Sequence, residues 1–177
     1  MRRISLTLLV SALAIALAAC ARSDSKPVVA SAATTRLAGP TPLEILQTEI
    51  EAFNRSDVEG SVSWFTLDAV LVTALGGCAP CIGQGAIRDH WSRAVSAQTK
   101  IGVDTARTEG DVVRASSWLR APSLPDGVER AVGTVTVTVR DGRIARWDQE
   151  YDLNDPQTAR LFAAVALTTS SRHRSRE

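Results

Sequence analysis

Apolar residues recur along this chain with two different periods. Leu43, Leu46, Ile50 and Phe53 lie three and four positions apart, which predicts one apolar stripe on a helix. Thr41-Pro42 suits its start, a capping hydroxyl followed by proline in the first turn, and Asn54-Arg55 suits its end. Ser56-Asp57-Val58-Glu59 has the form of a capping box and predicts a second helix whose apolar positions are Val58, Val62 and Phe65. Ala69 to Ala74 is a short apolar run suited to a buried strand. A glycine- and cysteine-rich segment then reads as a loop. Gln84 to Ala97 predicts a third helix with Ile87, Trp91, Ala94 and Val95 on one face.

Beyond residue 100 the period shortens to two. Ile101–Arg107, Val112–Arg120, Glu129–Arg140 and Arg143–Leu153 predict four consecutive strands. Turn residues separate them, and Asp141-Gly142 between two strand-like runs predicts a tight hairpin. Val135, Val137 and Val139 alternate with Thr134, Thr136 and Thr138, so one face is apolar and the other mild and polar. In the next run Ala145, Trp147, Gln149, Tyr151 and Leu153 share one face, and Arg146, Asp148, Glu150 and Asp152 share the other. Asp155-Pro156 opens a final helix through Leu161, Phe162 and Val165. Helices grouped first and strands grouped after predict an α+β layer fold: a curved antiparallel sheet with helices on one face.

The first twenty residues carry a different signal. Arg2 and Arg3 precede an uncharged, mostly apolar run from Ile4 to Ala19, and Leu17-Ala18-Ala19-Cys20 follows the pattern of a bacterial lipobox. This is the layout of a secretory signal peptide, and it is shorter than the roughly 20 apolar residues of a membrane-spanning helix. The expected organisation is a lipoprotein signal peptide over 1–19 and a lipidated Cys20 with a flexible tether over 20–40. A folded domain over 41–166 and a polar, basic tail over 167–177 follow. The protein is then exported and lipid-anchored to a bacterial membrane, with its domain in the periplasm or cell exterior. Ala21-Arg22 after the cysteine lacks the aspartate that retains lipoproteins at an inner membrane, which favours the outer one. The formal net charge of +1 excludes a general nucleic-acid binder, which needs a strongly basic face.

With Cys20 lipidated, Cys78 and Cys81 remain as an even pair in Cys-Ala-Pro-Cys. Outside the cytoplasm such a pair usually oxidises, so a small structural disulfide is expected, with a redox-active pair as the competing reading. A metal site is not expected. The chain holds only His90 and His173 as histidines, and four-ligand zinc would need unmarked carboxylates. No cofactor motif stands out.

Four phrases in order carry a resemblance: Ala52-Phe53-Asn54-Arg55-Ser56-Asp57, Ala69-Val70-Leu71-Val72, Gly83-Gln84-Gly85-Ala86-Ile87-Arg88 and Asp141-Gly142-Arg143-Ile144. Together they resemble the SnoaL-like branch of the nuclear transport factor 2-like superfamily, over about residues 41 to 160. The resemblance implies a cone, in which the sheet curls around the helices and encloses an apolar cavity. The superfamily includes isomerases, polyketide cyclases, hydrolases and non-catalytic binding proteins, so the fold names no reaction. Ketosteroid isomerase chemistry needs an Asp base, a Tyr and a protonated Asp. By register these positions fall near Ala74-Leu75-Gly76, near Glu49, and at Val135 or Thr136, so all three roles are empty here.

The pocket candidates are Trp64, Trp118, Trp147, Gln149 and Tyr151. Candidates for acid–base work are Tyr151, His90 and Asp152, the last with a competing role as a turn cap. These residues predict a tethered binding domain for a small apolar ligand or a protein partner. The alternative is a cofactor-free isomerase, cyclase or hydrolase. The threonine face of the sheet suggests a homodimer.

Overall fold

In the computed structural model, residues 39–174 are described. The expected signal peptide, Cys20 and all but the last two residues of the tether lie outside them. The order is α1 (Pro42–Asn54), α2 (Val58–Val62), β1 (Phe65–Thr73), β2 (Cys78–Ile82), α3 (Gly83–Ser96), β3 (Lys100–Glu109), β4 (Val112–Arg120), β5 (Ala131–Arg140), β6 (Arg143–Tyr151) and α4 (Pro156–Arg174). Among the described residues no helix is long and apolar enough to cross a membrane.

Local chemistry accounts for the helix ends. Thr41 and Glu44 form a reciprocal capping box at the start of α1, with Pro42 in its first turn. Asn54 closes α1 and binds the edge of β3: its Nδ2 donates to the Ile101 carbonyl at 2.8 Å, and its Oδ1 accepts from Ile101 N at 3.1 Å. The expected Ser56–Glu59 box does not form. Asp57 is the cap, accepting from Gly60 N at 2.8 Å, while Glu59 pairs with Arg88 of α3 at 2.7 Å. The second helix is also shorter than expected. It ends at Val62, and Phe65 opens β1 four residues ahead of the strand expected from Ala69.

The six strands form one sheet in the order β2-β1-β6-β5-β4-β3. Four pairings are antiparallel, but β1 lies parallel to β6, so the sheet is mixed rather than fully antiparallel. The cysteine segment expected to be a loop is instead the edge strand β2, with Thr73 opposite Cys78 and Leu71 opposite Cys81. An edge position tolerates Pro80, whose missing N–H a central ladder would need. Asp141 and Gly142, at φ 52° and 72°, make the tight turn between β5 and β6.

Val135, Val137 and Val139 face the core, and the intervening threonines are half-exposed. The alternation on β6 holds from Trp147 onward. An irregularity between Thr138 and Val139 shifts the earlier residues, so Ile144 is buried rather than Ala145. Leu153, expected on the inner face, lies beyond β6 and is exposed. Ile45, Leu46 and Phe53 of α1 and Ile87 of α3 meet Leu71, Val135 and Val137 in the main core. Leu161 of α4 joins Val128 and Ala131 in a smaller cluster beside Leu75, Leu124 and Tyr151. The helix α4 runs to Arg174, so the segment expected as a tail from 167 begins inside it.

Candidate functional site

Between the inner face of the sheet and helices α1 and α3 lies a cavity of about 450 Å³. It falls within the size range of small-molecule pockets. Trp118 from β4, Trp147, Gln149 and Tyr151 from β6, and His90 and Trp91 from α3 all line it. The odd-numbered residues of β6 reach it because a strand presents every second side chain to one face. Arg146 and Asp148 accordingly face outward and pair with each other at 2.6 Å.

The aromatic wall is built by ring contacts. Trp91 meets Trp147 edge-on with centroids 6.0 Å apart and packs on Phe53 at 4.9 Å. Trp118 lies across Gly102 of β3, where a Cβ would collide with the indole. The Arg120 guanidinium sits 5.2 Å from the Trp118 ring centroid. At the end covered by α4, Tyr151 packs on Phe162 at 5.2 Å.

The polar groups of the wall are few and mostly neutral. Tyr151 Oη lies 3.4 Å from Thr73 Oγ1. Gln149 Nε2 donates to Ser117 Oγ at 2.9 Å. Burial pushes the Tyr151 hydroxyl pKa up, so the group stays a neutral donor and acceptor. Burial also lowers the His90 pKa, against an opposing backbone contact at Gly76 and with a smaller contribution from the charge of Arg93. The residue is 6% exposed, and Nδ1 makes no hydrogen bond of ordinary geometry even though the Gly76 backbone lies beside it. Among the described residues lining the cavity, Arg93 alone carries a full charge and none is a carboxylate. Leu75, Gly76 and Val135 also line the cavity.

Two sequence candidates fall elsewhere. Trp64 is half-buried at the end of α2, packed against the main core and absent from the cavity wall. It precedes a strand that begins earlier than expected, and its carbonyl accepts from Ile144 N. Asp152 is exposed beyond β6, where its carboxylate accepts from Asn154 N at 2.9 Å in the turn toward α4. It caps a turn and does not reach the cavity.

Two features escape a reading by residue type. Glu49 lies fully buried within the apolar stripe of α1, and Ser61 Oγ donates to its Oε1 at 2.6 Å. Desolvation pushes its pKa up to about 8, so it is a neutral acid at pH 7. Trp91 favours the ionised form in a small way, yet Glu49 Oε2 and the Trp91 indole N–H do not meet in a bond of full geometry. The position was visible in the spacing Leu46, Glu49, Ile50, Phe53, a carboxylate on an inward stripe. The second feature is a convergence. Cys78 and Cys81 form a disulfide, and His90 stands beside them, with the two sulfurs and an imidazole nitrogen all within 4.8 Å of one another.

The sequence profile of the SnoaL-like domain matches residues 46–147. Among curated proteins, none matches the chain by sequence. A cystatin-fold protein from Novosphingobium aromaticivorans superposes with a TM-score of 0.55 at 22% identity, covering 63% of this chain and 99% of its own. A proposed polyketide cyclase from Xanthomonas campestris gives 0.52 at 24% identity, covering 64% and 92%. A Mycobacterium tuberculosis protein in complex with estradiol-17beta-hemisuccinate gives 0.54 at 16% identity, covering 65% and 97%. At these identities the likeness is one of fold. The matched profile spans more than half of the sequence, and the chain belongs to the SnoaL-like family.

Proposed function

We propose that this protein is a binding protein for a small, flat, apolar molecule, held in the cone cavity and carried at a membrane by lipid on Cys20. The observation that carries the reading is the chemistry of the wall. Three indoles surround about 450 Å³, the polar groups other than Arg93 are neutral, and no carboxylate lines the space. Such a wall rewards apolar area and offers Tyr151, Gln149 and Thr73 to orient a carbonyl or hydroxyl. The neighbour holding an estradiol derivative supports the size and flatness of the ligand.

Native mass spectrometry of the unit Leu37–Glu177, which forms its own compact body, tests the reading. Isolation from producing cells should yield a fraction with a bound apolar molecule of a few hundred daltons, released by organic solvent. A chain that carries nothing and takes up nothing from a panel of flat apolar compounds contradicts it. The tether has a separate test. Cys20→Ser should move the protein from the membrane fraction to the soluble one and abolish fatty-acid labelling.

A second reading, catalysis, is favoured by one observation: His90 reaches the cavity as a buried, neutral imidazole with an uncommitted Nδ1. An enzyme built on it would lose turnover in His90→Gln while retaining ligand affinity. A binder shows no turnover to lose.

A further inference from the structure

The cavity does not use every reactive group beside it. Cys78 and Cys81 bracket β2, and His90 reaches them from α3. All three are buried, and their ligand atoms cluster within 4.8 Å. His90 Nδ1 makes no hydrogen bond of ordinary geometry. Gly76 leaves room for the ring, since a Cβ there would stand 2.7 Å from His90 Cε1. Two sulfurs on one edge strand and an imidazole from a separate helix form a donor set of soft and borderline ligands.

We propose that the dithiol form of Cys78 and Cys81, with His90, is a buried Cu(I) site. The disulfide and the metal site are alternative states of the same atoms. A thiol reductant opens the S–S bond: two RSH supply two electrons and two protons, the protein gains two thiols, and RSSR leaves. Cu(I) then displaces the two thiol protons and forms two Cu–S bonds and one Cu–N bond to neutral His90. No redox change of the metal is involved. Zinc on two cysteines and one histidine completes its tetrahedron with water or substrate, and the cluster contains only these three groups among the described residues. Thiolates favour Cu(I), and two thiolates with one imidazole suit it in a buried site.

The unit Leu37–Glu177, which holds Cys78 and Cys81 but not Cys20, is reduced with dithiothreitol, desalted without oxygen and titrated against the chromophoric Cu(I)–bicinchoninate complex. The expected result is one Cu(I) withdrawn per chain by the reduced protein and none by the disulfide form. X-ray absorption should show two sulfurs and one nitrogen around copper. Cys78→Ser should abolish withdrawal, and His90→Gln should weaken it at least tenfold while leaving two titratable thiols. Near-UV circular dichroism keeps the result interpretable. Loss of the aromatic signal on reduction means that the dithiol site does not exist in the folded protein, and this overturns the proposal. So does a folded, reduced protein that leaves copper with the chelator, a His90→Gln variant that binds as tightly as the parent, or a preference for Zn(II).

Discussion

Glu49 and His90 are buried titratable groups with opposite consequences for stability. Glu49 is pushed up from 4.5 to about 8 by desolvation. Its unfolded form releases a proton from about pH 4.5 upward, and its folded form holds it. Its contribution is therefore complete below pH 4.5 and declines as pH rises toward 8. Glu49→Gln keeps an acceptor for Ser61 and removes the titration. The variant should flatten this decline and raise Tm at pH 8 by roughly 4–8 °C, equivalent to about 1–2 kcal/mol in a domain of this size. An unchanged pH profile in thermal melts would show that Glu49 is not a buried neutral acid. His90 works in the other direction. Its folded pKa lies below the ordinary 6.5, so its contribution is present above pH 6.5 and is lost as pH falls through the lowered value. In His90→Gln the acid-side decline in Tm below pH 6.5 should become shallower. A steeper decline would reverse the assigned direction.

At the scale of elements, β3, β4 and β6 set the cavity. Trp118 lies flat only because Gly102 of β3 has no side chain. Gly102→Ala should drive the indole into the ligand space and weaken binding of a flat apolar probe by roughly tenfold, about 1.4 kcal/mol, with the fold intact by far-UV circular dichroism. Equal affinity would place the ligand away from Trp118. Tyr151→Phe removes one neutral donor, so a loss of about fivefold is expected for ligands bearing a carbonyl, near 1 kcal/mol, and none for hydrocarbons. These elements were largely readable in the sequence. The period of two on β5 and β6 separated Trp147, Gln149 and Tyr151 from Arg146 and Asp148, because alternation is dictated by the strand itself. What alternation does not carry is pairing between distant strands. The parallel contact of β1 with β6, and β2 as an edge strand rather than a loop, depend on where the chain returns. Trp64 was misplaced for the same reason, since β1 begins directly after it.

For the whole molecule, the family phrases carry both fold and position. Asn54 ties α1 to β3, Asp57 caps α2, and the Asp141-Gly142 turn aligns β5 on β6. These contacts fix the ends of α1 and α2 and the β5–β6 hairpin. The chemistry depends on the side chains at the cavity wall, and there Leu75, Gly76 and Val135 offer no acid. Convergence of His90 with the cysteine pair was not readable, because it joins residues from an edge strand and a helix that only the folded chain brings together. The half-exposed threonine face of β5 lies on the side of the sheet away from the cavity. If two copies pair through it, sedimentation of Leu37–Glu177 should show a dimer that Thr136→Arg converts to monomer.

The central claim is that the cone cavity takes up a flat apolar molecule. Trp91, Trp118 and Trp147 line it, so their fluorescence reports occupancy directly. The most direct test is a titration of Leu37–Glu177 with estradiol, reading tryptophan emission, alongside Trp147→Ala. A saturable, one-to-one quench with a Kd near or below about 10 μM, about −7 kcal/mol, weakened in the variant, is the predicted result. A linear, unsaturable change that is the same in both proteins would contradict it.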